Sequence, residues 1–369
     1  MQPLAQVGRY RIEREVARGG MGAVYRARTP EGRPVALKLL LAGRAASPLQ
    51  RRRVTTEVQA LLRLRHPHVV ELLDAGEHRG ELPGAGVAAS AAKPGEPGVP
   101  YLVMEWVQGE TLAARLEREG PLPWAAAVEV TRQLAGALAH CHAQGVLHRD
   151  LKPANVMLRA SDGAPLLTDF GLSKDLASEG SLASTGAGSV RGRWLGTPGY
   201  WPPEQARGEL DAIGPRSDLY GLGATLYAAL TGSAPHTGES LSELLLALER
   251  PPDPPSRRHP GLPPWLDAVC LRALAIEPER RQASATDLER ELGEGLAGRL
   301  TEQGRVREVA APLRLPATRV ARAAGRDPGA GADVLHPPAG GRAPWPDERP
   351  ARGLIRPSPP AIPFPGGAS

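Results

Sequence analysis

Over the first hundred residues, apolar positions alternate with polar ones in short runs. Arg9–Val16 and Ala23–Arg28 read as extended segments flanking a glycine-rich turn, and Val35–Leu41 as a short apolar strand; a period of two puts every second side chain on one face of a sheet. The period then changes. Val54, Val58, Leu61, Leu62 and Leu64 recur at helical spacing within Arg51–Leu64. His66-Pro67 predicts the end of that helix, because the residue before a proline is driven out of the helical region. Residues 77–100 are rich in Gly, Ala and Pro without a period and read as a surface insertion. After a strand at Tyr101–Met104 the pattern is mostly helical: 124–142 carries Val128, Leu134, Leu138 and Cys141 along one face, and helical spacing returns at Leu262–Ala275 and Ala285–Leu292.

Asp218 and Glu239 enclose twenty residues without a formal charge, long enough to raise a membrane span. Four glycines, a proline and a histidine inside the stretch favour a buried core helix of about 13 residues instead. Residues 326–369 hold 11 Pro and 7 Gly and read as disordered, and there is no internal repeat.

Composition sharpens this picture. Hydrophobic residues make up 41% of the 369 but aromatics only 4%, so the core is built from Leu, Ala and Val. Two cysteines, Cys141 and Cys270, exclude a disulfide scaffold and a cysteine zinc site, and fit a reducing compartment. The first ten residues lack the apolar run of a signal peptide, so the expected location is cytoplasmic. The net charge of +5 invites a nucleic-acid reading, but it resides in the tail: from Gly295 onward 11 arginines face 6 acids, and the remainder balances at 34 each. A neutral body argues against a phosphate-tracking surface.

The rare residue types mark the chemistry. Only four of 45 basic residues are lysine (Lys38, Lys93, Lys152 and Lys174), the two phenylalanines are Phe170 and Phe364, and Asn155 is the single asparagine. Several of them fall in two short segments, His148-Arg149-Asp150-Leu151-Lys152-Pro153-Ala154-Asn155 and Asp169-Phe170-Gly171. Lys38 sits in Val35-Ala36-Leu37-Lys38, downstream of Ala17-Arg18-Gly19-Gly20-Met21-Gly22-Ala23-Val24. Any one of these has a bland reading: a glycine turn is usually a hairpin, a strand-end lysine is usually solvated, and an isolated His-Arg-Asp is usually a loop salt bridge. Together, in this order, they resemble the protein kinase signature set, and within it the bacterial eukaryotic-like serine/threonine kinases.

The resemblance covers about residues 10–292 and implies an α+β, two-lobed protein kinase fold. A small antiparallel β-sheet lobe with one main helix (10–105) precedes a larger, mainly helical lobe (108–292), and 293–369 is a Pro/Gly/Arg-rich tail. ATP and Mg²⁺ are the implied cofactors. Val16, Ala17, Gly19, Gly20 and Gly22 would cover the nucleotide, with Ala17 replacing the family's first glycine. Val24, Ala36 and Met157 would wall the base, Met104 would be the gatekeeper, and the main chain of Glu105 and Val107 would read the adenine edge. Lys38 paired with Glu57 would hold the α- and β-phosphates. Asp150 would orient the hydroxyl and take its proton, Lys152 would meet the γ-phosphate, and Asn155 and Asp169 would ligate the metal.

In Gly196-Thr197-Pro198-Gly199-Tyr200-Trp201-Pro202-Pro203-Glu204, Thr197 would contact Asp150 and Lys152, and Glu204 would pair with Arg281. Asp218 would brace the catalytic loop. Arg149 implies an activation loop ordered by phosphorylation, with Thr185 and Ser189 as candidate acceptors. The implied partners are proteins bearing serine or threonine, with no nucleic acid and no membrane span, and with dimerisation on activation left open. A pseudokinase scaffold and a small-molecule phosphotransferase are the alternatives. The full set Lys38, Glu57, Asp150, Asn155 and Asp169 speaks against the first, and the Pro-Pro-Glu segment with Arg281 against the second. His140, His142 and His148 have no fixed ligand spacing, and Cys141 reads as core.

Overall fold

A computed structural model of the protein describes residues 6–19, 22–41, 47–81, 83, 97–171 and 198–300, all within a unit that ends at Ala310. Six strands form the first sheet: β1 (Gln6–Val7), β2 (Tyr10–Gly19), β3 (Gly22–Arg28), β4 (Pro34–Leu40), β5 (Leu72–His78) and β6 (Val99–Glu105). Their order is β1-β2-β3-β4-β6-β5, and every neighbouring pair is antiparallel. Strict alternation decides which side chains go inside. Ala23, Tyr25, Ala27, Val35, Leu37 and Leu39 are buried with Val103 in the sheet's own core, while Val24, Ala36 and Lys38 lie on the opposite face.

The expected strands are present, each with slightly shifted ends. The 77–100 reading needs a correction at its margins. Glu77 and His78 pair with Pro100 and Val99, so two strands run into the insertion before residues 84–96, which lie outside the described set.

Between β4 and β5 lies α1 (Pro48–Leu61). Ser47 and Gln50 form a reciprocal capping box, and Pro48 supplies a first residue that has no N–H to satisfy. The helix thus starts three residues earlier than the apolar spacing suggests. Val54, Val58 and Leu61 bury its inner face in the apolar cluster that also holds Leu40, Leu72 and Leu102 of the sheet.

That lobe begins with β7 (Gly109–Thr111), α2 (Leu112–Glu119) and α3 (Trp124–Ala143), followed by β8 (Val156–Arg159) and β9 (Pro165–Leu167) in a three-stranded sheet β7-β8-β9. After it come α4 (Pro203–Ala206), α5 (Pro215–Thr231), α6 (Leu241–Leu248), α7 (Pro255–Arg258), α8 (Pro264–Ala273) and α9 (Ala285–Leu296). The central helix is α5. It spans 17 residues, not about 13, because Asp218 and Ser217 belong to its first turn, and the run from Ser217 to Leu230 is buried throughout. Gly232, at φ 77°, ends it in the left-handed conformation that glycine adopts without steric cost. At Gly221 a Cβ would stand 2.8 Å from the Leu151 side chain, so glycine there lets the helix approach the loop that carries Asp150. Among the described residues no helix is long and apolar enough to cross a membrane.

Candidate active site

The loop between α3 and β8 is held from below by one carboxylate. Asp218 accepts the main-chain N–H groups of His148 (2.8 Å) and Arg149 (2.7 Å), and His142 Nε2 lies 2.9 Å away. Two loop residues without glycine's freedom sit at positive φ, Arg149 at 61° and Asp169 at 58°. Such backbone persists only where the surroundings over-determine it. The anchor for both is the fully buried His148. Its Nε2–H donates to the Thr168 carbonyl at 2.9 Å, its Nδ1 accepts the Asp150 N–H at 3.3 Å, and its ring lies 4.7 Å from that of Phe170. Burial lowers its pKa, which matches a ring with one donating and one accepting nitrogen.

Around this anchor the expected residues converge. Asp150 Oδ2 receives Lys152 Nζ and Asn155 Nδ2, each at 2.9 Å, and Asn155 Nδ2 also donates to the Asp150 carbonyl at 2.7 Å. Lys38 Nζ reaches across from the sheet to Asp169 Oδ1 at 2.9 Å. With Nδ2 spent on Asp150, Asn155 still offers its amide oxygen and Asp169 its Oδ2: two hard oxygens from neighbouring segments, of the chemistry that suits a divalent cation of the magnesium type.

The expected Lys38–Glu57 pair is not formed. Lys38 is neutralised by Asp169, and Glu57 pairs with Arg149 Nη1 at 2.9 Å. The planar guanidinium fork is well suited to the carboxylate on α1. Sequence spacing could not tell which of the two cations folds into reach of that helix.

On the sheet, Val24, Ala36 and Lys38 share one face, and Met104 sits opposite both Ala36 and Leu72. Met104, Lys38 and Phe170 line one cavity with Leu61 and Leu72. Val16 is 44% exposed on β2, with Ala17 and Gly19 further along, and Gly22 opens β3. Glu105 ends β6, Val107 follows it, and Met157 lies on β8 two residues beyond Asn155. Gly20, Thr185, Ser189 and Thr197 lie outside the described residues.

Glu204 on α4 and Arg281 meet as expected, in a bidentate pair with both contacts at 2.7 Å and both side chains buried. Ser217 Oγ donates to Glu204 Oε1 at 2.7 Å. Burial pushes the Glu204 carboxyl upward, but the Arg281 hydrogen bonds and charge, with Ser217, outweigh it and hold the group below its usual range. The remaining histidines go elsewhere: the His140 ring stacks near His66 at 5.3 Å, and His142 serves Asp218. Cys141 is fully buried, as its place in the helical pattern implied, and burial pushes its thiol up to about 12.

One residue that gave no signal in the sequence is His236, buried behind the segment that leads to Glu204, its carbonyl against Gly199. Burial first, and Arg258 second, lower its pKa from 6.5 to about 4. The unfolded chain therefore binds a proton here that the folded one refuses until about pH 4. Stability is unaffected above pH 6.5 and falls as the pH drops from 6.5 toward 4, by at most about 3 kcal/mol. Denaturant unfolding at stepped pH checks this: His236→Phe is expected to flatten that acid limb, and an unchanged limb contradicts it.

With this geometry in view, the comparisons with known proteins are specific. The protein kinase domain family matches residues 10–288. The serine/threonine-protein kinase PknB of Mycobacterium leprae is 38% identical over 286 residues, which is 77% of this chain and 42% of the relative. PknE of Mycobacterium tuberculosis is 35% identical over 346 residues, 92% of this chain and 55% of that protein. The chain therefore spans about half or less of the length of these relatives. The crystal structure of the Mycobacterium tuberculosis PknI kinase domain superposes with a TM-score of 0.59 at 28% identity, covering 80% of this chain and 99% of that one. A family match over most of the length, and a buried scaffold that brings Lys38, Asp150, Lys152, Asn155 and Asp169 to one place, make this chain a member of the protein kinase family, of the bacterial eukaryotic-like serine/threonine type.

Proposed function

We propose that the protein transfers the γ-phosphoryl group of ATP to serine and threonine hydroxyls of protein substrates, itself among them, in bacterial signalling. The observation that carries this reading is the convergence of Lys152 and Asn155 on one carboxylate oxygen of Asp150, together with the Lys38–Asp169 pair. Asp150 orients the incoming hydroxyl and accepts its proton as the oxygen attacks phosphorus and the bond to ADP breaks. Lys152 offsets charge on the transferred group. Lys38 holds the α- and β-phosphates, in concert with Glu57 once the helix carboxylate exchanges Arg149 for the lysine. Asn155 and Asp169 are the oxygen donors for Mg²⁺, which neutralises phosphate charge when bound. Val16, Ala17, Gly19, Gly20, Gly22, Val24, Ala36 and Met157 enclose the nucleotide, Met104 closes its inner end, and the main chain of Glu105 and Val107 reads the base.

Thr197 and Glu204 belong to the substrate platform, Thr185 and Ser189 are the candidate phosphorylation sites, and the kinase portion runs over 10–292. A cytoplasmic location and dimerisation on activation complete the proposal. The test is incubation of purified protein and a generic basic protein with Mg²⁺ and γ-labelled ATP, followed by phosphopeptide mapping. Label on serine and threonine is expected; label confined to small molecules, or none, contradicts the reading.

A further inference from the structure

β5 and β6 run antiparallel with Leu72 opposite Met104, so the next pair outward sets Glu71 opposite Glu105. Half of that pair is regular, the Glu105 N–H donating to the Glu71 carbonyl at 3.0 Å. In a complete hydrogen-bonded pair the Glu71 N–H would return the bond to the Glu105 carbonyl. It donates instead to the Glu105 side chain, at Oε1, 3.0 Å away. One carboxylate oxygen stands in for the main-chain acceptor, and the carbonyl is spared that donor.

The donor itself is held in place. The Glu71 carboxylate pairs with Arg65 Nε at 3.1 Å, and Arg65 Nη1 donates to the carbonyls of Leu62 and Leu64 at 2.9 and 2.8 Å. Arg65 thus ties the end of α1 to Glu71, and Glu71 meets Glu105 at the last residue of the strand. The ladder bond from the Glu105 N–H to the Glu71 carbonyl fixes the main chain from which the Glu71 N–H points.

We infer that the Glu105 carboxylate is a positioning residue for the purine base: by taking the Glu71 amide, it keeps the Glu105 carbonyl available to an exocyclic amino group. The inference rests on the proposed function, in which the main chain of Glu105 reads adenine. It adds a reason for a glutamate at that position and a selectivity for the 6-amino purine that the side chain protects without touching it. A carbonyl already engaged by Glu71 would offer the amino group a poorer acceptor, and a site built around one hydrogen bond discriminates through it.

The test is equilibrium binding of ATP and of purine riboside triphosphate, which lacks the 6-amino group, to the wild type, Glu105→Gln and Glu105→Ala. The glutamine retains an acceptor at Oε1, and its preference for ATP is expected to stay within about twofold of wild type. The alanine releases the Glu71 amide to the carbonyl, and the preference is expected to fall roughly fivefold or more, through weaker ATP binding with the analogue unchanged. Glu105→Leu, of similar bulk but without an acceptor, is read the same way if the alanine variant does not fold. An acceptor-free variant with the wild-type preference overturns the inference, as does a glutamine variant that loses it. Phosphate transfer is assayed in parallel on the same wild-type protein. Selective ATP binding that depends on Glu105 but goes with no transfer would contradict the proposed function and support this one.

Discussion

Replacing Asp150 with asparagine is expected to lower phosphoryl transfer by about 10²- to 10⁴-fold, the range that a positioned proton acceptor contributes. The asparagine preserves an oxygen for Lys152 Nζ and Asn155 Nδ2, both of which now meet Oδ2 at 2.9 Å. The loop should therefore keep its shape, because its other anchors do not involve this side chain: Asp218 receives the amides of His148 and Arg149, and His148 is fixed by Thr168. What is lost is a group able to accept the hydroxyl proton. The melting temperature and the affinity for Mg-ATP are expected to stay at wild-type values while turnover collapses. A variant that keeps its turnover would place the proton acceptor elsewhere; one that loses nucleotide binding as well would make Asp150 a structural residue.

Arg281→Met is expected to destabilise the second lobe strongly. The guanidinium makes both contacts to Glu204 at 2.7 Å and donates as well to the carbonyls of Ala275, Arg216 and Ile276. Its removal leaves a buried carboxylate with Ser217 as its remaining side-chain donor. Breaking a buried pair from one side costs about 3–5 kcal/mol, since the surviving charge remains out of water. For a folded portion of this size that corresponds to a melting temperature lower by roughly 10 °C. The double variant Glu204→Leu with Arg281→Met is expected to recover much of the loss, because no unpaired charge is left inside. Thermal unfolding of the single and double variants checks the pair. Equal loss in both would show that the carbonyl bonds of Arg281 matter more than its charge.

The residues whose chemistry is rare in this composition were the legible part of the site. In a chain with four lysines and one asparagine, Lys38 pairs with Asp169, Lys152 and Asn155 meet on Asp150, and the short motifs around them place each on the loop or strand where it is found. The strands of the first lobe were legible because Ala23, Tyr25 and Ala27, and then Val35, Leu37 and Leu39, bury every second residue. β5 was missed: Leu72–His78 shows no alternation, and a register shift falls between Leu72 and Asp74. The length of α5 was underestimated because a charged residue reads as a boundary, whereas Asp218 is buried and fully engaged by the catalytic loop. The partner of Glu57 was misassigned for a different reason. Spacing along the chain fixes which helix face a carboxylate occupies, but not which of two cations, 19 residues upstream or 92 downstream, folds into reach. The carboxylate of Glu105 gave no signal, since its role depends on a ladder that is regular on one side and substituted on the other.

The small lysine inventory permits a direct test of where the triphosphate lies. An acyl-phosphate derivative of ATP acylates whichever lysine amine lies beside the bound phosphates and releases ATP. Among Lys38, Lys93, Lys152 and Lys174, the result expected is labelling of Lys38 and Lys152, suppressed by prior addition of Mg-ATP. Labelling of Lys93 or Lys174 in their place, or labelling of Lys38 that Mg-ATP does not suppress, would contradict a nucleotide held between the sheet and the Asp150 loop.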